Sequence, residues 1–118
     1  MTENYDPLIV VGVPPSGLGC GECLSTGTGW WLHLRRCATC GTVGCCDSSP
    51  SGHASRHARE SGHAIIQSFE PGEDWFYDFR TDRSVPGPRL APPDSRPLEQ
   101  PSPAPLDRLP SDWLDRLR

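Results

Sequence analysis

All six cysteines and all four histidines of this 118-residue chain fall between residues 20 and 63. They run Cys20-Gly-Glu-Cys23, Cys37-Ala-Thr-Cys40 and Cys45-Cys46, followed by His53, His57 and His63. Thiolate and imidazole are the donors of tetrahedral zinc, and a C-x2-C pair lets two sulfurs of one turn reach the same ion. Two such pairs with a trailing histidine series match metal spacing rather than a disulfide framework. With His33 set aside, nine donors within 44 residues are enough for two four-donor sites with one thiol left over. Spacing alone leaves two groupings open. In the sequential one, Cys20, Cys23, Cys37 and Cys40 share an ion, and Cys45, His53, His57 and His63 share another. In the interleaved one, Cys20, Cys23, Cys45 and His53 hold the first ion, and Cys37, Cys40, His57 and His63 hold the second.

The donors need elements that bring them together. Gly19 and Gly21 free the backbone on either side of Cys20. From Trp30 to Arg35 the pattern alternates, which predicts a strand with Trp30, Leu32 and Leu34 on one side and Trp31, His33 and Arg35 on the other. On that polar side His33 reads as a solvated residue rather than a ligand. The stretch Gly41-Thr42-Val43-Gly44 predicts a tight hairpin. Ser49 as cap and Pro50 at the first helical position predict a helix that runs to about Ser61 and closes at Gly62. His53 and His57, four apart, then lie on one face of it, with His63 just past its end. Strands are predicted over 64–69 and 74–79, joined by a turn at 70–73. Leu8-Ile9-Val10-Val11 predicts a short edge strand ended by Pro14-Pro15.

Hydrophobic residues make up only 35% of the chain, so the core is thin and needs a staple. Structural zinc supplies roughly 10–16 kcal/mol apparent at neutral pH, as much as the whole stability of a small domain. No apolar run approaches membrane-spanning length. Met1 to Asp6 is polar and acidic, with no basic region before an apolar one, which argues against secretion and membrane insertion. Reduced thiols as ligands then agree with a cytoplasmic protein. The net charge is −4, and all eleven basic residues are arginine. Between Cys20 and Arg83 six arginines face eight acids, and five thiolates on two zinc ions add about one further negative charge. Duplex nucleic acid needs a positive face, so binding to it is disfavoured. Without lysine, the chain cannot carry an isopeptide-linked tag on a side chain, and could only read one.

From Val85 to Pro110 nine residues are proline, which predicts a disordered, partly polyproline linker. Residues 111–118 follow with a capping Ser111 and with Trp113, Leu114 and Leu117 on one side, a short amphipathic helix that would be marginal alone. The expected organisation is therefore a finger domain over 1–83 with its metal core at 20–63, a Pro-rich linker over 84–110, and the short helix at 111–118.

The run from Cys20 to Phe79 resembles a UBP-type zinc finger, the module known beside ubiquitin-specific proteases, in its small stand-alone bacterial version. The residues that carry the likeness are Cys20-x2-Cys23, Cys37-x2-Cys40-x4-Cys45, Gly52-His53-x3-His57 and Gly62-His63-Ala64, then Glu73-Asp74-Trp75-Phe76-Tyr77. The resemblance implies an α+β fold, a small zinc-stapled domain with a twisted antiparallel sheet and one or two helices, here followed by the disordered Pro-rich tail. It also implies the interleaved ligand set, two Zn2+ ions, and Cys46 outside both sites. In ubiquitin-reading members an arginine shortly after the position of Cys45 clamps the terminal carboxylate. Here that place holds Cys46 and Asp47, and an aspartate repels what a guanidinium would hold. The aromatic candidates for a peptide pocket are Trp31, Trp75 and Tyr77. Eight ligands for two ions close both sites to bound water, which disfavours catalysis. The expected function is a non-catalytic interaction module that binds an as yet unidentified peptide or protein chain end. The alternatives are a reader of a ubiquitin or ubiquitin-like C-terminus, and a nucleic-acid-binding finger.

Overall fold

In the computed structural model, which describes residues 5–116, the chain is organised on β1 (Leu34–Cys37). β2 (Val43–Cys45) pairs on one side of it, and β3 (Ile65–Ser68), β4 (Phe76–Asp78) and β5 (Arg83–Val85) follow on the other. Among the described residues these form one five-stranded antiparallel sheet in the order β2-β1-β3-β4-β5. Three α-helices accompany it there: α1 (Gly21–Thr26), α2 (His53–Ser61) and α3 (Trp113–Arg116). The molecule is thus the expected α+β domain. No helix of the described residues is long and apolar enough to cross a membrane.

The register of the β1–β2 hairpin positions the metal donors. Leu34 lies opposite Cys45 and Arg36 opposite Val43, so Cys37 stands three residues along the strand from Cys45, about 10 Å at the usual strand rise. The two ends of the hairpin therefore serve different ions. Gly41 makes the turn possible: its φ is 81°, and an added Cβ would lie 2.2 Å from the Pro14 carbonyl oxygen. Leu34, Val43, Trp31, Phe69 and Ala104 pack around Cys20, Cys23 and Cys45, and a second cluster gathers Ala38, Ile65, Phe76 and Leu90.

Several local expectations shift. The strand begins at Leu34 rather than Trp30, because Trp30 and Trp31 are both buried, which simple alternation forbids. Trp31 instead makes an isolated bridge to Ala104. α2 begins at His53, with Gly52 as its cap at φ 56°, and ends at Gly62 as expected, where the Gly62 N–H reaches the Ala58 carbonyl at 3.0 Å. Ser49 does not cap, since its hydroxyl accepts the Leu32 N–H at 2.8 Å. Leu8 to Val11 is an irregular strap and not a strand: Leu8 and Ile9 pack on the second cluster while the Val10 N–H bonds to the Ala38 carbonyl.

The tail departs from the expected disorder. Leu90 and Ala104 are 4% and 3% exposed. Arg36, 1% exposed, donates to the carbonyls of Val13 (2.8 Å), Ala91 (2.6 Å) and Pro93 (3.2 Å). Arg96 donates to Glu70 at 3.0 Å, and the other Glu70 oxygen accepts the Leu34 N–H at 3.0 Å. Trp31 and Ala104 exchange two backbone bonds of 2.8 and 3.0 Å. Proline lowers the ordering cost and needs no N–H partner, while arginine forks satisfy the carbonyls it leaves. Trp113 in α3 meets Trp30 edge-on at 6.5 Å between centroids, whereas Leu114 is exposed. Leu117 lies outside the described residues.

Candidate metal centre

Cys20 is the cap residue of α1 and Cys23 lies within that helix; Cys45 ends β2 and His53 opens α2. Their Sγ and imidazole nitrogen atoms all lie within 4.8 Å of one another, and all four residues are buried. Nδ1 of His53 stands 3.2, 3.3 and 3.5 Å from the sulfurs of Cys20, Cys23 and Cys45, and the Cys23 and Cys45 sulfurs are 3.8 Å apart. A regular tetrahedron with zinc–sulfur bonds of about 2.3 Å has sulfur–sulfur edges of about 3.8 Å and sulfur–nitrogen edges of about 3.6 Å. The donor set therefore fits a zinc ion. Nε2 of His53 faces the Glu22 carboxylate at 3.5 Å, which Arg56 holds in turn at 2.6 Å. A carboxylate behind a ligand histidine fixes its tautomer and leaves Nδ1 free to donate its lone pair. Sequence reasoning passed over Glu22, although it sits beside Cys23 inside the first ligand turn.

Among the protein atoms alone the three sulfurs share their protons unequally. With Cys23 and Cys45 as hydrogen-bond donors, Cys20 is held ionised at about 2. Cys23, by its contact with Cys20, is pushed far up, and Cys45 is raised to about 11 by its own contact with Cys20.

The second cluster joins Cys37 and Cys40, from the end of β1 and the hairpin turn, to His57 on the face of α2 and to His63 beyond it. Cys40 Sγ lies 3.3 Å from Nε2 of His57, and the His57 and His63 rings meet edge-on at 5.5 Å between centroids. Nδ1 of His63 is buried and has no hydrogen-bond partner among the described residues, as a metal ligand would be without its metal. Burial, and then the neighbouring His63, lower the pKa of His57, keeping it neutral and able to ligate. This site is more open than the first, since Cys40 is exposed. The two groups are the interleaved sets, and they fit two zinc ions. Cys46 and His33 belong to neither; Cys46 is buried with its sulfur 3.2 Å from the Ser49 hydroxyl.

A cleft of about 510 Å³ opens beside α2 between Cys46 and Asp47 on one wall and Trp75, Tyr77 and Phe79 from the β4 region on the other. Arg35 lies over the Trp75 ring, 4.7 Å from its centroid, and Arg59 and Asp82 complete the rim. Trp75 and Tyr77 are thus brought together. Trp31 is not with them: it is 3% exposed and backs a separate apolar groove with Leu18, Leu24 and Leu106.

A family described as the zinc finger in ubiquitin hydrolases and other proteins matches residues 20–90. Among solved structures, the chain is similar to a protein of Rhodopseudomonas palustris determined in solution by NMR. The two are 44% identical, with a TM-score of 0.60, over 72% of this chain and 83% of that one. No functionally curated protein matches.

Proposed function

Because the chain belongs to the family of zinc fingers found in ubiquitin hydrolases and other proteins, we propose that it is a non-catalytic interaction module that holds a peptide or protein chain end in the cleft beside α2. Zinc is its structural metal, and four protein donors per ion leave no position for a reacting water. The observation that carries the reading is the Arg35 guanidinium stacked on Trp75 inside that cleft. A partly exposed aromatic face with a cation over it offers a chain end both an apolar wall and a partner for its carboxylate. The cleft also bears Asp47 and Asp82, so it selects against a bare acidic end and favours one whose preceding residues carry positive charge or hydrogen-bond donors. Free thiols as metal donors and a negative net charge support a cytoplasmic protein whose partner is a polypeptide rather than a nucleic acid.

The test is an array of C-terminal peptides in free-acid and amidated forms, followed by NMR of the Trp75 indole. The reading expects binding that needs the free carboxylate and is lost in Trp75→Ala and in Arg35→Ala. Peptides ending in Gly-Gly should bind weakly and gain affinity in Asp47→Arg. Equal binding of both forms, or none, would reject the assignment, and retention on a polyanion column that falls steeply with salt would favour nucleic acid instead.

A further inference from the structure

We propose that the C-terminal tail is part of the metal-binding unit and that Arg108 is a positioning residue for the first zinc site. The helix that carries Cys23 is six residues long, and its cap residue Cys20 makes no side-chain capping bond. A helix so short is not stable alone, and its last carbonyls lack N–H partners one turn on within it; the Thr26 hydroxyl donates to the Cys23 carbonyl and the Gly27 N–H to that of Leu24. Arg108 adds a charged donor to both. Its Nη1 donates to the carbonyl of Cys23 itself at 2.8 Å and to that of Gly29 at 3.1 Å, and its Nη2 donates to Leu24 at 3.3 Å. One guanidinium therefore ties the ligand residue to the far side of its own loop. The loop is closed tightly there, since a Cβ on Gly29 would lie 2.6 Å from the Cys23 Cα.

The tail brings Arg108 to this place by the Trp31–Ala104 bridge and the Arg96–Glu70 pair. A lysine could not span three carbonyls, because only the planar fork of arginine presents several donors at fixed angles. The cation also sits at the C-terminal end of α1, where it is favoured, and close to three thiolates that outweigh the charge of one zinc ion. The family match ends at residue 90, so this device belongs to a part of the chain beyond the shared finger.

The experiment uses full-length protein with both sites loaded with cadmium, whose NMR signals separate a three-sulfur site from a two-sulfur one. Loss of each signal to excess chelator is followed in the wild type, Arg108→Ala, Arg108→Lys and Arg89→Ala. Partners that orient ligands are commonly worth about tenfold to hundredfold in metal affinity. Arg108→Ala should speed release from the three-sulfur site by about tenfold or more and leave the two-sulfur site unchanged, with faster amide exchange in α1. Arg108→Lys should restore part of the difference, and it provides the comparison if the alanine variant does not fold. Arg89, 82% exposed in its side chain and paired only with Asp94 among the described residues, should change neither rate when replaced. Wild-type release from the three-sulfur site, or equal acceleration of both sites, would overturn the proposal.

Discussion

Cys45 and Cys46 are chain neighbours with different surroundings. Cys45 points to the sulfurs of Cys20 and Cys23, while Cys46 faces the Ser49 hydroxyl and the cleft, as successive residues at a strand end turn to opposite sides. Cys46→Ser should therefore keep both zinc ions in native mass spectrometry, whereas Cys37→Ser and His63→Ala should each lose one. Retention of two ions in either of those would mean that the second cluster is not a site. Protonation sets a further expectation. With Cys45 raised to about 11 and Cys23 higher, both thiols carry protons at pH 7 in the metal-free cluster. Zinc has to displace those protons, so acid competes with it, and the apparent affinity of the first site should fall about hundredfold for each pH unit lost, one decade per proton. Calorimetric titration in buffers of different ionisation heat counts the protons released; about two are expected, and one or fewer at pH 7 would contradict this account.

At the level of elements, Gly44 decides how closely α2 can lie on β2. An added Cβ there would be 2.8 Å from the Ala54 backbone nitrogen and 3.0 Å from its Cα. Gly44→Ala should lift the first turn of α2, displace His53, and cost at least about 1–3 kcal/mol, seen as a lower melting temperature together with weakened binding at the first site. An unchanged melting curve would show that the helix has slack. The same junction shows which elements were legible in the sequence. Donor spacing, the stop at Gly62 and the β3 and β4 strands are marked by nearby residues, so they could be read in order. Ser49 carried a cap signal that lost to a partner seventeen residues away, the Leu32 N–H. Arg36, just past the alternating Trp30–Arg35 pattern, is buried under carbonyls from Val13, Ala91 and Pro93. Nothing in the spacing of prolines signals that their carbonyls will meet such a donor, so the tail reads as a linker and yet lies against the domain.

For the whole molecule, the β1–β2 hairpin separates two ions that serve different parts of a thin core. The first is wrapped by Trp31, Leu34, Val43, Phe69 and Ala104, and the ligands Cys20, Cys23 and Cys45 are each 0% exposed. The second is bound through Cys40, which is exposed. A chelator reaches the second ion directly, but reaches the first only after the structure around it opens, so stripping should proceed in two steps with the Cys37–Cys40–His57–His63 ion leaving first. Each structural zinc contributes on the order of the entire stability of a small domain, yet their losses should differ in consequence. Removing the second ion frees the end of α2 and the hairpin turn while the larger cluster keeps its metal, so much of the circular dichroism should persist. Removing the first takes away the point at which ligands from α1, β2 and α2 meet, and the signal should collapse. Native mass spectrometry paired with circular dichroism along a chelator titration follows both quantities at once. A fold that outlasts the loss of both ions would show that the apolar contacts and the arginine-held tail suffice without metal.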